Sequence, residues 1–224
     1  MRRETEVQEF TAAMYDEYGE EDPVAEYKIA CFEGCIPKTF WDVVSSHVSH
    51  NEQVFNKVVI PYRKRWKRAL KNGYSLLFVG DNGSGKTMFI SYLLTQMIKR
   101  GLTTYYTTLT QLDIDIKMGF RDNDIALRLE YMLESDFVAI DEIGKESFKT
   151  DGYLTTRLEH YLKKRYDDAE PVLLSSNIDI ESLCKMYGST IESMFDGKYR
   201  TVSLEPGDFR KSTKAKMKKR MGYK

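Results

Sequence analysis

Gly80-Asp81-Asn82-Gly83-Ser84-Gly85-Lys86-Thr87 meets every fixed position of the pattern G-x-x-x-x-G-K-[ST]. The spacing has a chemical purpose. Glycines let the backbone curl until successive N–H groups point inward and form a cradle for anionic oxygens. A helix starting near Gly85 adds its positive end to that cradle. Lys86 supplies a point charge for the β- and γ-phosphates of a nucleotide, and Thr87 offers a hydroxyl to Mg2+. With Met88 behind them, these residues form the candidate ATP site. A chance match in a chain of this length is roughly a one-in-a-hundred event.

A second acidic signal lies about 55 residues beyond Lys86. Phe137-Val138-Ala139-Ile140 is an apolar run that ends in Asp141-Glu142. A buried strand would deliver Asp141 to the carboxyl edge of a sheet, where ligands bind in α/β folds. There Asp141, with Thr87, can hold the Mg2+ shell. Glu142 can orient or deprotonate an attacking water. A kinase passing phosphate to a second substrate has no need of that glutamate, so hydrolysis is the favoured reaction. Val172-Leu173-Leu174-Ser175-Ser176-Asn177 is a third run with a polar end. Asn177 can hydrogen-bond a γ-phosphate or the attacking water, although Asn at a strand end also serves turns. The candidate catalytic set is Lys86, Asp141, Glu142 and Asn177.

These side chains need a scaffold that brings distant segments to one edge. Leu76–Val79, Phe137–Ile140 and Val172–Leu174 are apolar without alternation, the pattern of strands buried on both faces of a parallel sheet. Thr103–Thr107 and Thr201–Leu204 are weaker strand candidates, rich in β-branched and aromatic residues. Helical stripes lie between them: Phe89, Ile90, Leu93, Leu94, Met97 and Ile98 after the phosphate loop, then Leu154, Leu158, Tyr161 and Leu162. Strands alternating with helices predict right-handed crossovers. Two helices fit between Thr110 and Glu134, one more than a crossover needs. Residues 1 to about 73 read as helical and loosely specified, with Pro61 opening or kinking a helix that ends near Gly73.

The chain has 224 residues, long enough for one α/β domain plus a short extension. At 42% hydrophobic residues a real core can form. Lysine and arginine balance aspartate and glutamate at 34 each, so the net charge is zero, yet the start is acidic and the end, from Arg210 to Lys224, is basic. A basic end fits either a solvated tail or an arm for nucleic acid. Three cysteines argue against a disulfide framework and for a reducing cytoplasm. No apolar run approaches the ~20 residues of a membrane span, and no signal peptide is visible.

Together these motifs resemble the bacterial helicase loaders of the DnaC/DnaI type and the related IstB-type transposition ATPases, which are AAA+ proteins. The resemblance covers about residues 35–211. Cys35-Ile36-Pro37-Lys38-Thr39-Phe40 is similar to the Ile-Pro-Lys-x-Phe stretch ahead of the loaders' ATPase core. Arg165-Tyr166, the Ser-Asn strand end and Asp208-Phe209-Arg210 also match. The resemblance implies an α/β P-loop NTPase of AAA+ type: a parallel five-stranded sheet flanked by helices, with a small helical N-terminal region and no full C-terminal lid domain. It divides the chain into a partner-binding region and linker at 1–73, an ATPase core at 74–206 and a basic tail at 207–224. It makes Asn177 the first sensor. It turns the extra helix into the insertion that faces single-stranded DNA, where Lys117, Phe120 and Arg121 put an aromatic between two cations.

The chain also departs from the loaders. Their arginine after the sensor strand, which acts on a neighbour's γ-phosphate, is missing from Thr190–Phe195. Arg200 lies a few residues on, and Arg157 and Arg165, eight apart, share one helical side; these three are the arginine-finger candidates. Cys31, Cys35, His47 and His50 offer four ligands that zinc could use, but Cys-x-x-x-Cys is not the usual knuckle spacing, and Cys31 reads as a small core residue. Zinc is therefore not expected. The implied partners are a replicative ring helicase, single-stranded DNA and further copies of the chain, with ATP at subunit interfaces in the cytoplasm of a bacterial cell or phage-infected host. An IstB-like regulator of transposition, a nucleotide-holding scaffold with little hydrolysis and a small-molecule kinase are the rival readings.

Overall fold

The computed structural model describes residues 2–42, 51–144 and 153–205. Five strands form one sheet: β1 (Ser75–Val79), β2 (Thr104–Thr108), β3 (Phe137–Ile143), β4 (Val172–Ser176) and β5 (Tyr199–Ser203). All neighbours pair in parallel, in the order β2-β3-β4-β1-β5. The apolar runs become β1, β3 and β4, the three interior strands, because only unalternating sequences can be buried on both faces. The β-branched and tyrosine-rich segments form the edges, each within two residues of its expected start. In this order the carboxyl ends of β1 and β3 flank that of β4, so the three polar strand ends converge.

Helix α6 (Lys86–Ile98) follows the phosphate loop and is buried nearly all round, including Phe89, Leu93 and Met97 of its apolar stripe. One face meets the sheet. The other is covered by residues from the N-terminal region: Cys31, Ile36, Trp41, Phe55, Val58, Val59 and Ala69 share one core cluster with α6. The large ones contribute on the order of 1.5–3 kcal/mol each. The region that reads as loosely specified is thus integral to the core on this side.

Two helices begin the chain, α1 (Arg2–Tyr18) and α2 (Pro23–Glu33). Asp22 caps α2 by accepting the Val24 amide at 2.7 Å. After α2 the backbone runs along the outer edge of β2, where the Tyr106 amide donates to the Gly34 carbonyl at 2.8 Å. That approach requires glycine, because a Cβ on Gly34 would lie 2.5 Å from the Thr104 carbonyl oxygen. The edge is thereby shielded from pairing with another chain. From Glu52 to Asn72 the chain is helical in short pieces: α3 (Glu52–Val54), a π turn (Phe55–Val59), α4 (Ile60–Lys64) and α5 (Trp66–Asn72). The π turn ends one residue short of Pro61, which sits in the first turn of α4, where its missing N–H is tolerated.

Both extra helices between β2 and β3 are present as α7 (Leu109–Met118) and α8 (Asn123–Glu134). Thr108 and Asp122 cap them, accepting the Gln111 amide at 3.1 Å and the Asp124 amide at 2.9 Å. Helix α9 (Tyr153–Asp167), with α10 (Ile180–Tyr187) and α11 (Ser189–Lys198), closes the other face. Among the described residues no helix is long and apolar enough to cross a membrane. The expected basic tail and Asp208-Phe209-Arg210 lie outside the described residues.

Candidate functional site

The phosphate loop leaves β1 at Val79 and enters α6 at Lys86. Three of its glycines are required by geometry, Gly83 by its φ of +86°. Gly85 has φ +98°, which L side chains rarely adopt. A Cβ on Gly80 would lie 3.0 Å from the Leu204 carbonyl oxygen. The Lys86 ammonium donates to the Gly80 and Asp81 carbonyls at 2.6 and 2.8 Å, so it lies inside the loop. A phosphate anion would compete with those carbonyls for the same charge. Ser84 is buried, and its hydroxyl oxygen has no hydrogen-bond partner among the described residues. An orphaned polar group in a glycine cradle with a buried ammonium suits a phosphate chain.

Asp141 lies at the end of β3 and is buried. Four donors converge on its carboxylate. Thr87 donates to Oδ2 at 2.7 Å and ties the loop helix to β3. The Tyr106 hydroxyl, from β2, donates to the same oxygen at 2.7 Å. Ser175, from β4, donates to Oδ1, as does the Glu142 amide at 3.1 Å. Burial, and then the Asp141 charge that accepts its proton, push the Tyr106 phenol well above its ordinary range, so it stays a donor. The adjacent oxygens of Thr87 and Asp141 are hard donors of the type Mg2+ takes, and their positions fit that ion.

Glu142 follows with φ +65°, a left-handed conformation that costs on the order of 1 kcal/mol for a non-glycine residue. The β3–β4 register shifts between Ile140 and Ile143, so the strain falls on a bulge. The bulge turns Glu142 out of the strand alternation beside Asp141, and the Ser175 hydroxyl accepts its amide at 3.0 Å. Asn177 follows β4 at the same edge and is half-buried. Lys86, Thr87, Asp141, Glu142 and Asn177 thus meet at one edge. Tyr106 and Ser175 join them unforeseen: a tyrosine in a Thr-Tyr-Tyr-Thr run and a strand-end serine carry no motif.

The arginine-finger candidates separate. Arg165 is 1% exposed and donates to the Ser135 and Asp136 carbonyls at 3.0 and 3.3 Å, at the amino edge of the sheet. It also pairs with Glu170 at 3.2 Å. It therefore continues the buried stripe Leu154–Leu158–Leu162, whereas Arg157 falls off that stripe and is exposed. Eight residues place the two about 80° apart on a helix, enough to part them at a burial boundary. Arg200 is exposed in the amino half of β5.

On the insertion, Lys117 pairs with Asp113 one turn back at 2.6 Å. Phe120 is 75% exposed, and Arg121 beside it is exposed. Of the four residues considered for zinc, His47 and His50 lie outside the described residues. Cys31 is in the core, and burial pushes its thiol up to about 11, which disfavours the thiolate a metal needs. Cys35 is half-buried in the turn along the β2 edge, at φ +55°. Among the described residues no three or more His, Cys, Asp or Glu side chains cluster as a metal site would need.

Comparison with known proteins adds a family and a fold. Residues 68–194, more than half of the chain, match the family of IstB-like ATP binding proteins. An insertion sequence IS21-like ATP-binding protein of Bacteroides fragilis (strain YCH46) is 30% identical over 74 residues, 33% of this chain and 37% of that protein. An insertion sequence IS5376 ATP-binding protein of Geobacillus stearothermophilus is 27% identical over 131 residues, 58% and 48% respectively. The chain thus spans about half or less of the curated relatives it matches. Among solved structures, the DnaC helicase loader superposes with a TM-score of 0.60 at 17% identity, covering 75% of this chain and all of that one. DnaI gives 0.63 at 17% identity, covering 75% and 94%. The replication initiator DnaA bound to AMPPCP and single-stranded DNA gives 0.62 at 15%, covering 84% and 57%. At such identities the shared property is the P-loop, AAA+-like fold.

Proposed function

The chain belongs to the IstB-like ATP-binding family, and on that premise we propose that it is an ATP-hydrolysing switch that loads a replicative ring helicase onto single-stranded DNA. The observation that carries the hydrolytic part is the Thr87–Asp141 hydrogen bond, which brings a phosphate-loop hydroxyl and a β3 carboxylate together at 2.7 Å with Glu142 adjacent. ATP would lie in the 80–88 loop, with Mg2+ on Thr87 and Asp141; the ion neutralises charge developing on the transferred phosphoryl group. Lys86 would exchange its two carbonyl partners for phosphate oxygens. Glu142 would accept a proton from the attacking water, and Asn177 would orient that water or the γ-phosphate. Arg157, exposed on the second turn of α9, is the arginine best suited to reach a neighbouring copy's nucleotide.

The loading part is supported by the α7–α8 insertion. Phe120 stands exposed between Lys117 and Arg121, a stacking ring flanked by two cations, which suits single strands without sequence preference. A second reading is favoured by the insertion-sequence relatives: assembly on duplex DNA as a regulator of transposition. One experiment separates them. Phosphate release is followed with purified protein, with and without a replicative helicase, on single-stranded and duplex DNA. Loading predicts helicase-dependent transfer to the single strand, a stall in the bound state for Glu142→Gln, and no nucleotide binding for Lys86→Ala. Filaments on duplex DNA without a helicase would favour the second reading. Unaltered function in Glu142→Gln would leave a nucleotide-holding scaffold.

A further inference from the structure

Beyond Glu52, the helical segment 52–72 carries no acidic residue, yet it holds Lys57, Lys64, Arg65, Lys67, Arg68 and Lys71 in exposed positions. None of the six forms an ion pair among the described residues; Lys67 lies over the Trp66 ring at 5.4 Å. Some exposed lysines elsewhere in the chain are neutralised locally. Lys117, Lys163 and Lys164 each pair with an aspartate one turn away. The net charge is zero, so the cations here are a local concentration rather than general basicity.

Tertiary structure adds what the charge run alone lacks. Arg65 and Arg68 line a cleft of about 350 Å³, and β5 brings Arg200 to the same cleft. Tyr74 sits in the same cleft, 41% exposed, its carbonyl accepting the Tyr62 hydroxyl at 2.7 Å. Three guanidinium groups from two distant segments and an exposed aromatic ring therefore meet at the amino edge of the sheet.

We propose that this face binds the phosphodiester backbone of a nucleic acid. A small anion would need only the cleft, but the cations extend past it along successive short helical pieces, about 20 Å at a helical rise per residue. That length matches about six phosphates of one strand. A lipid surface is disfavoured because the apolar side of the segment is spent: Phe55, Val58, Val59 and Ala69 are in the core, which leaves no face to insert. The surface lies at the other edge of the sheet from the phosphate loop, uses no residue of the α7–α8 insertion, and does not depend on the loading proposal.

The test uses the full chain and labelled single-stranded and duplex oligonucleotides, with binding followed by anisotropy across a salt series. In a Lys64→Gln/Arg65→Gln/Arg68→Gln/Lys71→Gln variant, affinity at low salt should fall at least tenfold. The slope of log K against log salt should shrink by about three, at 0.7–0.9 per lost phosphate contact. Binding of a fluorescent ATP analogue and the melting temperature should not change, since these side chains are exposed and lie away from the phosphate loop. The milder Arg65→Gln/Arg68→Gln variant should lose about half of that slope. A larger loss on one oligonucleotide identifies the preferred strand form. Wild-type affinity and slope in both variants would overturn the proposal, as would failure of the unaltered protein to bind either oligonucleotide. A parallel Lys117→Gln/Phe120→Ala/Arg121→Gln variant keeps the two surfaces apart: loss there alone refutes the basic face and spares the loading reading.

Discussion

Replacing Tyr106 with phenylalanine removes one hydroxyl and keeps a ring that packs in the core beneath the phosphate loop. The lost bond, 2.7 Å to Asp141 Oδ2, runs to a buried carboxylate. A hydrogen bond to a charged group contributes about 1.5–3 kcal/mol. At about 1.4 kcal/mol per decade that is roughly a tenfold to hundredfold effect. Asp141 keeps Ser175 and the Glu142 amide on Oδ1, and Thr87 on Oδ2, so the lower end applies. The carboxylate would be free to rotate about its remaining bonds and would offer Mg2+ a less organised ligand. We expect the Mg2+ concentration for half-maximal phosphate release to rise about tenfold, with kcat falling by a similar factor. Nucleotide affinity without Mg2+ should be unchanged, because the Tyr106 hydroxyl donates to Asp141, whereas Lys86 donates to the loop carbonyls. The phenol stays protonated well past its ordinary range, so the wild-type pH profile should show no limb from it below about pH 10. A Tyr106→Phe protein with wild-type melting, Mg2+ dependence and kcat would refute the claim that this hydroxyl holds the metal ligand in place.

Three further predictions concern stability. Arg165→Met leaves the Ser135 and Asp136 carbonyls without their buried donor, so the urea midpoint should fall by the equivalent of about 1–3 kcal/mol while the folded protein keeps its kcat; unaltered stability with lost activity would return Arg165 to the finger candidates. Gly34→Ala places a Cβ 2.5 Å from the Thr104 carbonyl oxygen, and calorimetry should record a loss of about 1–3 kcal/mol from the overpacked β2 edge. Burial pushes the Cys31 thiol up to about 11 from an ordinary 9, so its neutral form is favoured in the folded state. The corresponding stability is complete below pH 9 and is lost as pH rises through about 11, on the order of 2–3 kcal/mol. Denaturant midpoints measured across that window should decline, and Cys31→Val should flatten the first part of the decline.

The phosphate-loop half of the candidate site was legible because its chemistry is local. The phosphate loop needs glycines, a lysine and a hydroxyl at fixed spacing along one turn, and an apolar run ending in Asp141-Glu142 needs only a strand to carry it. Those features determine a parallel α/β fold and bring Lys86, Thr87 and Asp141 to one edge. The rest depended on which segments meet. Tyr106 and Ser175 reach Asp141 because β2 and β4 flank β3, an order no local pattern encodes. The strain at Glu142 comes from a register shift between two strands. Arg157 and Arg165 look equivalent by spacing, and only the placement of the β3 and β4 starts buries one of them. The N-terminal segment reads as loosely specified because its apolar residues follow no single period; they fill the outer face of α6 piece by piece. Sequence therefore determined the groups whose chemistry lies within one turn or strand end, and tertiary structure decided every role that requires a neighbour from another strand.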